Sequence, residues 1–389
     1  MHALTSSNSA QDFGRLDGLQ ILRAIAAGLV IFDHGLYNFH SKIAGLPGDP
    51  STLLLGDFGV RLFFCISGFI IFLSVARLQP GKSSVRMFAM RRLIRIVPLY
   101  WLATLIYAAK LALQDTPPGV MQLVYSLFFV PYSASSTSFM TPVLGVGWTL
   151  NFEMFFYTLL GASLFVRPAW RSPLVISAIL LLLFGELAGV VAPSRNDVLQ
   201  ALHLLATPEL LFFVSGMVMG SLAHRGLLPA FQPLRGDVGF VSVMLLAVAG
   251  SVAAGWIGRG EIMGHFFLAT ACVLLCTSGQ GNGRRSDAPT PLSGLRRLVV
   301  LAGDASYSSY LTHGFAMGPL ARLTQKLGLD VSPIVFSIAM VLVCTAVGIA
   351  IYWFVEKPML RNLNRRWSRP VVSGEQSDAD KLAVVARSS

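Results

Sequence analysis

The chain has 389 residues, 54% of them hydrophobic and only 13% charged. An ordinary soluble domain carries about 25% charged residues, so this composition excludes one and points to an all-α, polytopic membrane bundle. A net charge of +11 would suggest nucleic acid to a soluble chain, but here the basic residues follow membrane topology, so the expected partner is the lipid bilayer and no nucleic acid.

Apolar windows long enough to cross a bilayer lie near 19–37, 53–76, 94–113, 147–166, 173–192, 204–222, 237–257, 262–279, 298–319 and 333–355, which predicts about ten transmembrane helices. A further stretch at 120–130, bounded by Pro117-Pro118 and Pro131, is too short to cross and reads as a re-entrant or interfacial segment. With the N-terminus inside and ten spans, 22 of the 30 Lys and Arg residues fall on the inner side and six on the outer. Counting the short stretch as a span would move Arg167 and Arg171 outside and exchange every later loop, so the charge bias selects ten. The expected organisation is a cytoplasmic tail over 1–15, a membrane domain over 16–361 and a polar, disordered cytoplasmic tail over 362–389. Cys65, Cys272, Cys276 and Cys344 all fall in apolar segments and read as small packing residues. Leu62 to Gly68 (LFFCISG) echoes Leu211 to Gly216 (LFFVSG), but with an offset of one residue this does not establish a repeat.

The first span carries Arg23 and His34, eleven positions apart. Eleven residues at about 100° each bring both side chains to within about 20° of one helix face, separated by about 16 Å along the axis. Charged and polar groups are costly in hydrocarbon, so both should face a polar interior or a ligand. In the second span Asp57 and Arg61 stand at i,i+4; either Asp57 neutralises Arg61 or Arg61 meets a substrate. Ser67-Gly68 permits close helix approach.

Arg92 and Arg95 share a face at the entrance to the third span, ahead of Pro98, which interrupts the hydrogen-bond ladder. Anchoring on the inner side accounts for part of this basic cluster, and guanidinium forks at a cytoplasmic edge also suit the phosphates of a nucleotide-bearing cofactor. The fourth span opens with Trp148, Asn151, Glu153 and Tyr157. Trp148 can serve as an interfacial anchor. Glu153 lies inside the apolar run without a local basic partner and should pair with Arg or His from another helix. Tyr310 and His313 stand one turn apart in the ninth span, where His313 either lines a cavity or is a hydrogen-bonded core residue. The sequence holds no metal-ligand spacing, serine nucleophile elbow or phosphate-binding glycine loop. No metal or permanently bound cofactor is therefore expected, and a phosphate would have to be met by arginines.

Six motifs in order carry a family resemblance: Arg23-x10-His34, FFxxSGF from Phe63, RRxxRIxPxY from Arg91, WTLNFE from Trp148, SYxxYLxH from Ser306, and EKP from Glu356. From Leu16 to Arg361 the chain resembles acyltransferase family 3, integral membrane enzymes that move acyl groups, commonly acetyl from acetyl-CoA, onto hydroxyls of carbohydrates, glycolipids and macrolides. The resemblance implies an inner-membrane O-acyltransferase with acyl-CoA as donor and a cell-envelope or exported glycan or glycolipid, lipopolysaccharide among them, as acceptor. It implies His34 as the essential histidine and Arg23 as its companion, with the basic Arg92 and Arg95 region on the cytoplasmic side, where the two guanidinium groups are expected to hold the donor's phosphates. Glu153 is the candidate catalytic carboxylate, and either it or Asp33 could fix the tautomer of His34. Arg61, Trp148, Asn151, Tyr310 and His313 are the candidate substrate contacts. The competing reading is a secondary transporter or lipid-linked glycan flippase, which would use the same intramembrane charges as a pathway.

Overall fold

In the computed structural model, residues 17–45, 54–133, 140–194, 197–227, 262–277 and 292–367 are described. All regular structure among them is helical. Helix α1 (Asp17–Asn38) ends in a π turn over Phe39–Ile43, followed by α2 (Leu54–Val75), α3 (Lys82–Ala112) and the short α4 (Val120–Leu127). Then come α5 (Trp148–Ser163), α6 (Pro168–Leu187), α7 (Asp197–Leu205), α8 (Leu210–His224) and α9 (Ile262–Thr277). The C-terminal part holds α10 (Ser293–Asp304), α11 (Ser306–Lys326), α12 (Pro333–Ile351), a π turn over Tyr352–Glu356 and α13 (Lys357–Trp367).

Five of these segments, Gly18–Ile43, Leu55–Val75, Lys82–Ala112, Pro168–Leu187 and Pro333–Trp367, are long and apolar enough to cross a membrane. Helices α7 and α8, bent by 63°, make a sixth if taken as one broken span. The break falls at Thr207-Pro208, where proline removes a backbone donor. The windows at 147–166 and 262–279 become 16-residue helices. The window at 237–257 lies outside the described residues, as does the tail over 1–15.

Several boundaries differ from the hydropathy windows for identifiable reasons. Helix α3 starts at Lys82, twelve residues before its window, because Arg and Lys are good helix formers that an apolar scan passes over. It continues through Pro98 without interruption. The window at 298–319 is divided: the backbone leaves helical geometry at Ala305 (φ −83°, ψ 1°) between α10 and α11. Helix α13 extends to Trp367, into the segment read as polar tail, whose residues beyond 367 are outside the described set.

Helix α1 is the hub, packing against α2, α9, α10, α11 and α12. The most extensive helix pair is α2 with α8, the two segments that echo one another in sequence. They meet at reciprocal glycines: a Cβ on Gly68 would strike the Phe213 carbonyl, and one on Gly216 would strike the Cys65 carbonyl. Around this crossing Phe213 stacks on Phe64 at 4.5 Å and on Phe156 at 4.8 Å between ring centroids. Without a hydrophobic drive between helices in lipid, such backbone approach is what dispersion contacts require.

Arg171 is a loop charge by topology, yet its side chain is buried. Nη1 donates to the Val75 carbonyl at 2.6 Å and Nη2 to the Leu78 carbonyl at 2.7 Å. The guanidinium thereby closes the C-terminal end of α2, where carbonyls have no intrahelical partner.

The glycine crossing gives a direct expectation. Gly216→Ala should lower thermal stability in detergent by about 1–3 kcal/mol, the usual cost of overpacking. Gly145→Ala, where no described residue comes within 4 Å of the added Cβ, should leave the melting temperature within a degree or two of the parent. Equal stability of the two variants would contradict the close crossing.

Candidate active site

Helices α1, α2, α3, α5 and α11 enclose a cavity of about 320 Å³. Its polar wall is built from widely separated parts of the chain: Gln20 and Arg23 on α1, Ser67 on α2, Arg92 and Arg95 on α3, Thr149, Glu153 and Tyr157 on α5, and Ser306, Tyr307 and Tyr310 on α11. Arg92 and Arg95 reach the same space because i,i+3 spacing places them on one face. The division between α10 and α11 turns Ser306, Tyr307 and Tyr310 toward it.

The charges are held by short local contacts. Arg23 donates to the Gln20 side-chain oxygen at 3.3 Å. Arg92 donates to Ser74 Oγ at 3.1 Å and lies over the rings of Phe88 and Tyr157 at 5.7 and 5.8 Å. Glu153 Oε1 accepts from Ser67 Oγ at 3.2 Å and from the Tyr157 hydroxyl. A second carboxylate, Glu356, is 1% exposed and accepts from Ser308 Oγ at 2.5 Å. Arg95 and Arg23 are its charged neighbours, and Glu153 is a further charged neighbour of Arg23. Three guanidinium groups against two carboxylates leave one formal positive charge. Among the described residues, Arg92 Nε and Ser306 Oγ are buried without a hydrogen-bond partner. An anionic ligand is the natural complement.

Beyond Tyr310 the arrangement changes from charged to imidazole. His34 and His313 face each other with ring centroids 5.0 Å apart. His34 Nδ1 lies 2.7 Å from the Val30 carbonyl, and His313 Nδ1 lies 2.6 Å from the Tyr310 carbonyl. A carbonyl only accepts, so in each neutral ring the proton sits on Nδ1 and Nε2 carries the lone pair. Tyr310 spans the two regions: its hydroxyl lies 3.1 Å from Thr149 Oγ1 in the cavity wall, and His313 follows one turn later. The main chain, then, fixes the tautomer of His34. Asp33 Oδ2 instead accepts from the Gly56 amide at 2.6 Å, tying α1 to the start of α2.

Of the residues singled out in the sequence, Arg23, Arg92, Arg95, Glu153 and Tyr310 share the cavity, and His34 and His313 pair beside it. Three others are placed elsewhere. Arg61 forms an ion pair with Glu209 at 3.5 Å and a hydrogen bond with His265, linking α2, α8 and α9. Trp148 packs edge-on against Phe64 and Phe152. Asn151 Nδ2 contacts Met140 Sδ at 3.3 Å. Neither Trp148 nor Asn151 lines the cavity. Glu356 received no role from the sequence, although the EKP motif marked its position; Ser67 and Tyr307 carried no chemical signal there.

The acyltransferase domain of family 3 matches residues 16–353. The exopolysaccharide production protein ExoZ of Rhizobium meliloti is 36% identical, over 82% of this chain and 93% of that protein. The acyltransferase MdmB of Streptomyces mycarofaciens is 26% identical over 86% of this chain and 88% of its own length. Nodulation protein 10 of Rhizobium leguminosarum is 29% identical over 41% of this chain and 47% of that protein. No solved structure matches.

Glu153 tests the charge arrangement. Glu153→Leu strands guanidinium groups in an apolar bundle and should lower stability by about 3 kcal/mol, whereas Glu153→Gln keeps an acceptor for Ser67 and Tyr157 and should cost less. Thermal melts of both variants decide it: a leucine variant as stable as the parent would mean that Glu153 does not compensate the arginines.

Proposed function

This chain belongs to acyltransferase family 3, and we propose that it is an integral membrane O-acyltransferase that moves an acyl group, acetyl first among the candidates, from acyl-CoA to a hydroxyl of a polysaccharide or glycolipid. The observation that carries the reading is the convergence of Arg23, Arg92 and Arg95, from two different helices, on one cavity whose wall includes Tyr310, a ring 6.0 Å from that of His313, which in turn lies 5.0 Å from His34. Bidentate guanidinium groups suit the donor's phosphates. A cavity of about 320 Å³ suits a slender pantetheine arm, with the nucleotide left at the mouth. A relative named for exopolysaccharide production supports a polysaccharide acceptor.

The bundle sits in the inner membrane with ten spans and both termini in the cytoplasm, so the arginines meet acyl-CoA from the side where it is made. His34 Nε2 then acts in one of two ways. As a general base it takes the acceptor's hydroxyl proton while that oxygen attacks the thioester carbonyl, the C–S bond breaks and the CoA sulfur leaves as thiolate, to be protonated by solvent. As a nucleophile it attacks the thioester itself and carries the acyl group to the acceptor. Val30 serves both routes, because its carbonyl holds the proton on Nδ1 and keeps Nε2 available.

Purified protein incubated with radiolabelled acetyl-CoA and isolated envelope polysaccharide should place label on the glycan. His34→Ala should abolish that transfer at unchanged protein level; retained transfer would rule out both routes. Arg92→Ala and Arg95→Ala should each raise the KM for acyl-CoA about tenfold or more, with Lys restoring only part, since a point charge does not reproduce the fork. Unchanged KM in both would remove the phosphate role. Movement of an unmodified glycan across vesicles with no acyl transfer would make the protein a transporter.

A further inference from the structure

The two facing imidazoles present more chemistry than a single base requires. His34 comes from α1 and His313 from α11, and their ring centroids are 5.0 Å apart. Each donates Nδ1–H to a main-chain carbonyl of its own helix, Val30 for His34 and Tyr310 for His313. Neither ring can turn over without losing that bond, so both keep Nε2 as the lone-pair nitrogen. Cys344 Sγ donates to the His313 carbonyl at 3.7 Å and belongs to a buried apolar cluster with Ile31, Met317, Phe336 and Met340. A histidine kept only for packing at position 313 would be better replaced there by an apolar ring, since burying an imidazole costs free energy that Phe or Leu does not incur.

We propose that His313 is a second catalytic residue, the base of the acceptor half-reaction, while His34 handles the acyl donor. The inference rests on the acyl-CoA reading above and selects its nucleophilic route. In the first half-reaction His34 Nε2 bonds to the thioester carbonyl carbon, the C–S bond breaks, and CoA leaves as thiolate, giving an N-acyl imidazolium on His34. In the second, the acceptor hydroxyl gives its proton to His313 Nε2 as its oxygen bonds to the acyl carbon, and the C–N bond breaks to return neutral His34. His313 then releases the proton to solvent, from which the thiolate takes one, so the sum is ester plus free CoA thiol. The spacing suits this division. Rings centred 5.0 Å apart are in direct contact, so an acyl group carried on His34 stays next to His313, and an attacking hydroxyl about 2.8 Å from His313 Nε2 and about 3.2 Å from the acyl carbon would be in a near-attack arrangement.

The test separates the half-reactions. Asn at position 313 places its amide nitrogen near the site of Nδ1 and keeps the bond to the Tyr310 carbonyl but cannot take a proton; Gln gives a second, differently packed variant. Without acceptor, wild type, His313→Asn and His313→Gln should each release about one equivalent of CoA per enzyme from acetyl-CoA, and hydroxylamine added after the excess acetyl-CoA is removed should then free the bound acyl group as acetohydroxamate. With polysaccharide acceptor, both variants should transfer about 10²–10⁴-fold more slowly than wild type, the usual range for loss of a general base. His34→Ala should release no CoA in either assay. Wild-type transfer by either His313 variant overturns the proposal, as does an equal loss of both half-reactions in variants that melt like the parent. Absence of acceptor-independent CoA release in a wild type that still acylates polysaccharide removes the two-histidine division but keeps the acyltransferase reading; absence of any acylation removes both.

Discussion

A charge inside an apolar helix bundle has to be met by an opposite charge, by main-chain dipoles or by a ligand, because lipid and packed side chains offer nothing else. This bundle uses each solution in a different place. Arg171 spends its donors on carbonyls at the end of α2. Arg61 is answered by Glu209 and His265 across three helices. Arg23, Arg92 and Arg95 are different: Glu153 and Glu356 answer them only in part. Partial compensation keeps the empty cavity foldable and leaves it attractive to an anion. Full compensation would remove the reason for a phosphate-bearing donor to enter.

The fold exists to hold those groups in register. Helix α1 sits at the centre of the contacts, so its Arg23 and His34 act as a fixed ruler from the charged cavity to the imidazole pair. Glycines 68 and 216 let α2 and α8 approach to backbone contact on one side, and the π turn before α13 presents Glu356 on the other. One extra residue in a helical turn rotates every later side chain of the helix by about 100°. Without it, a different residue of the same run would face Ser308.

Local periodicity carried much of the site in the sequence. Arg23 with His34, and Arg92 with Arg95, share faces because helix geometry is regular over a few turns, and Glu153 stood out as a lone acid in an apolar run. What escaped were relations that no short spacing encodes. The partner of Arg61 lies far along the chain at Glu209, and Arg171 was indistinguishable from a topology charge. Glu356 depends on a π turn that hydropathy does not register, and the division of the 298–319 window at Ala305 falls in the short polar stretch from Asp304 to Ser309, which a window average smooths over. Trp148 and Asn151 carried the same motif signal as Thr149 and Glu153 but sit on other faces of α5, since neighbours one or two positions apart on a helix point in different directions.

The central claim is that the arginine cavity receives the acyl donor with its thioester directed at His34. The most direct measurement is photo-crosslinking with a CoA thioester bearing a small diazirine acyl group, followed by peptide mass spectrometry. The account predicts adducts on α1 and α11 near His34, Tyr310 and His313, competed away by acetyl-CoA and lost in the Arg92→Ala, Arg95→Ala double variant. Competed adducts concentrated on helices that do not border the cavity would contradict it.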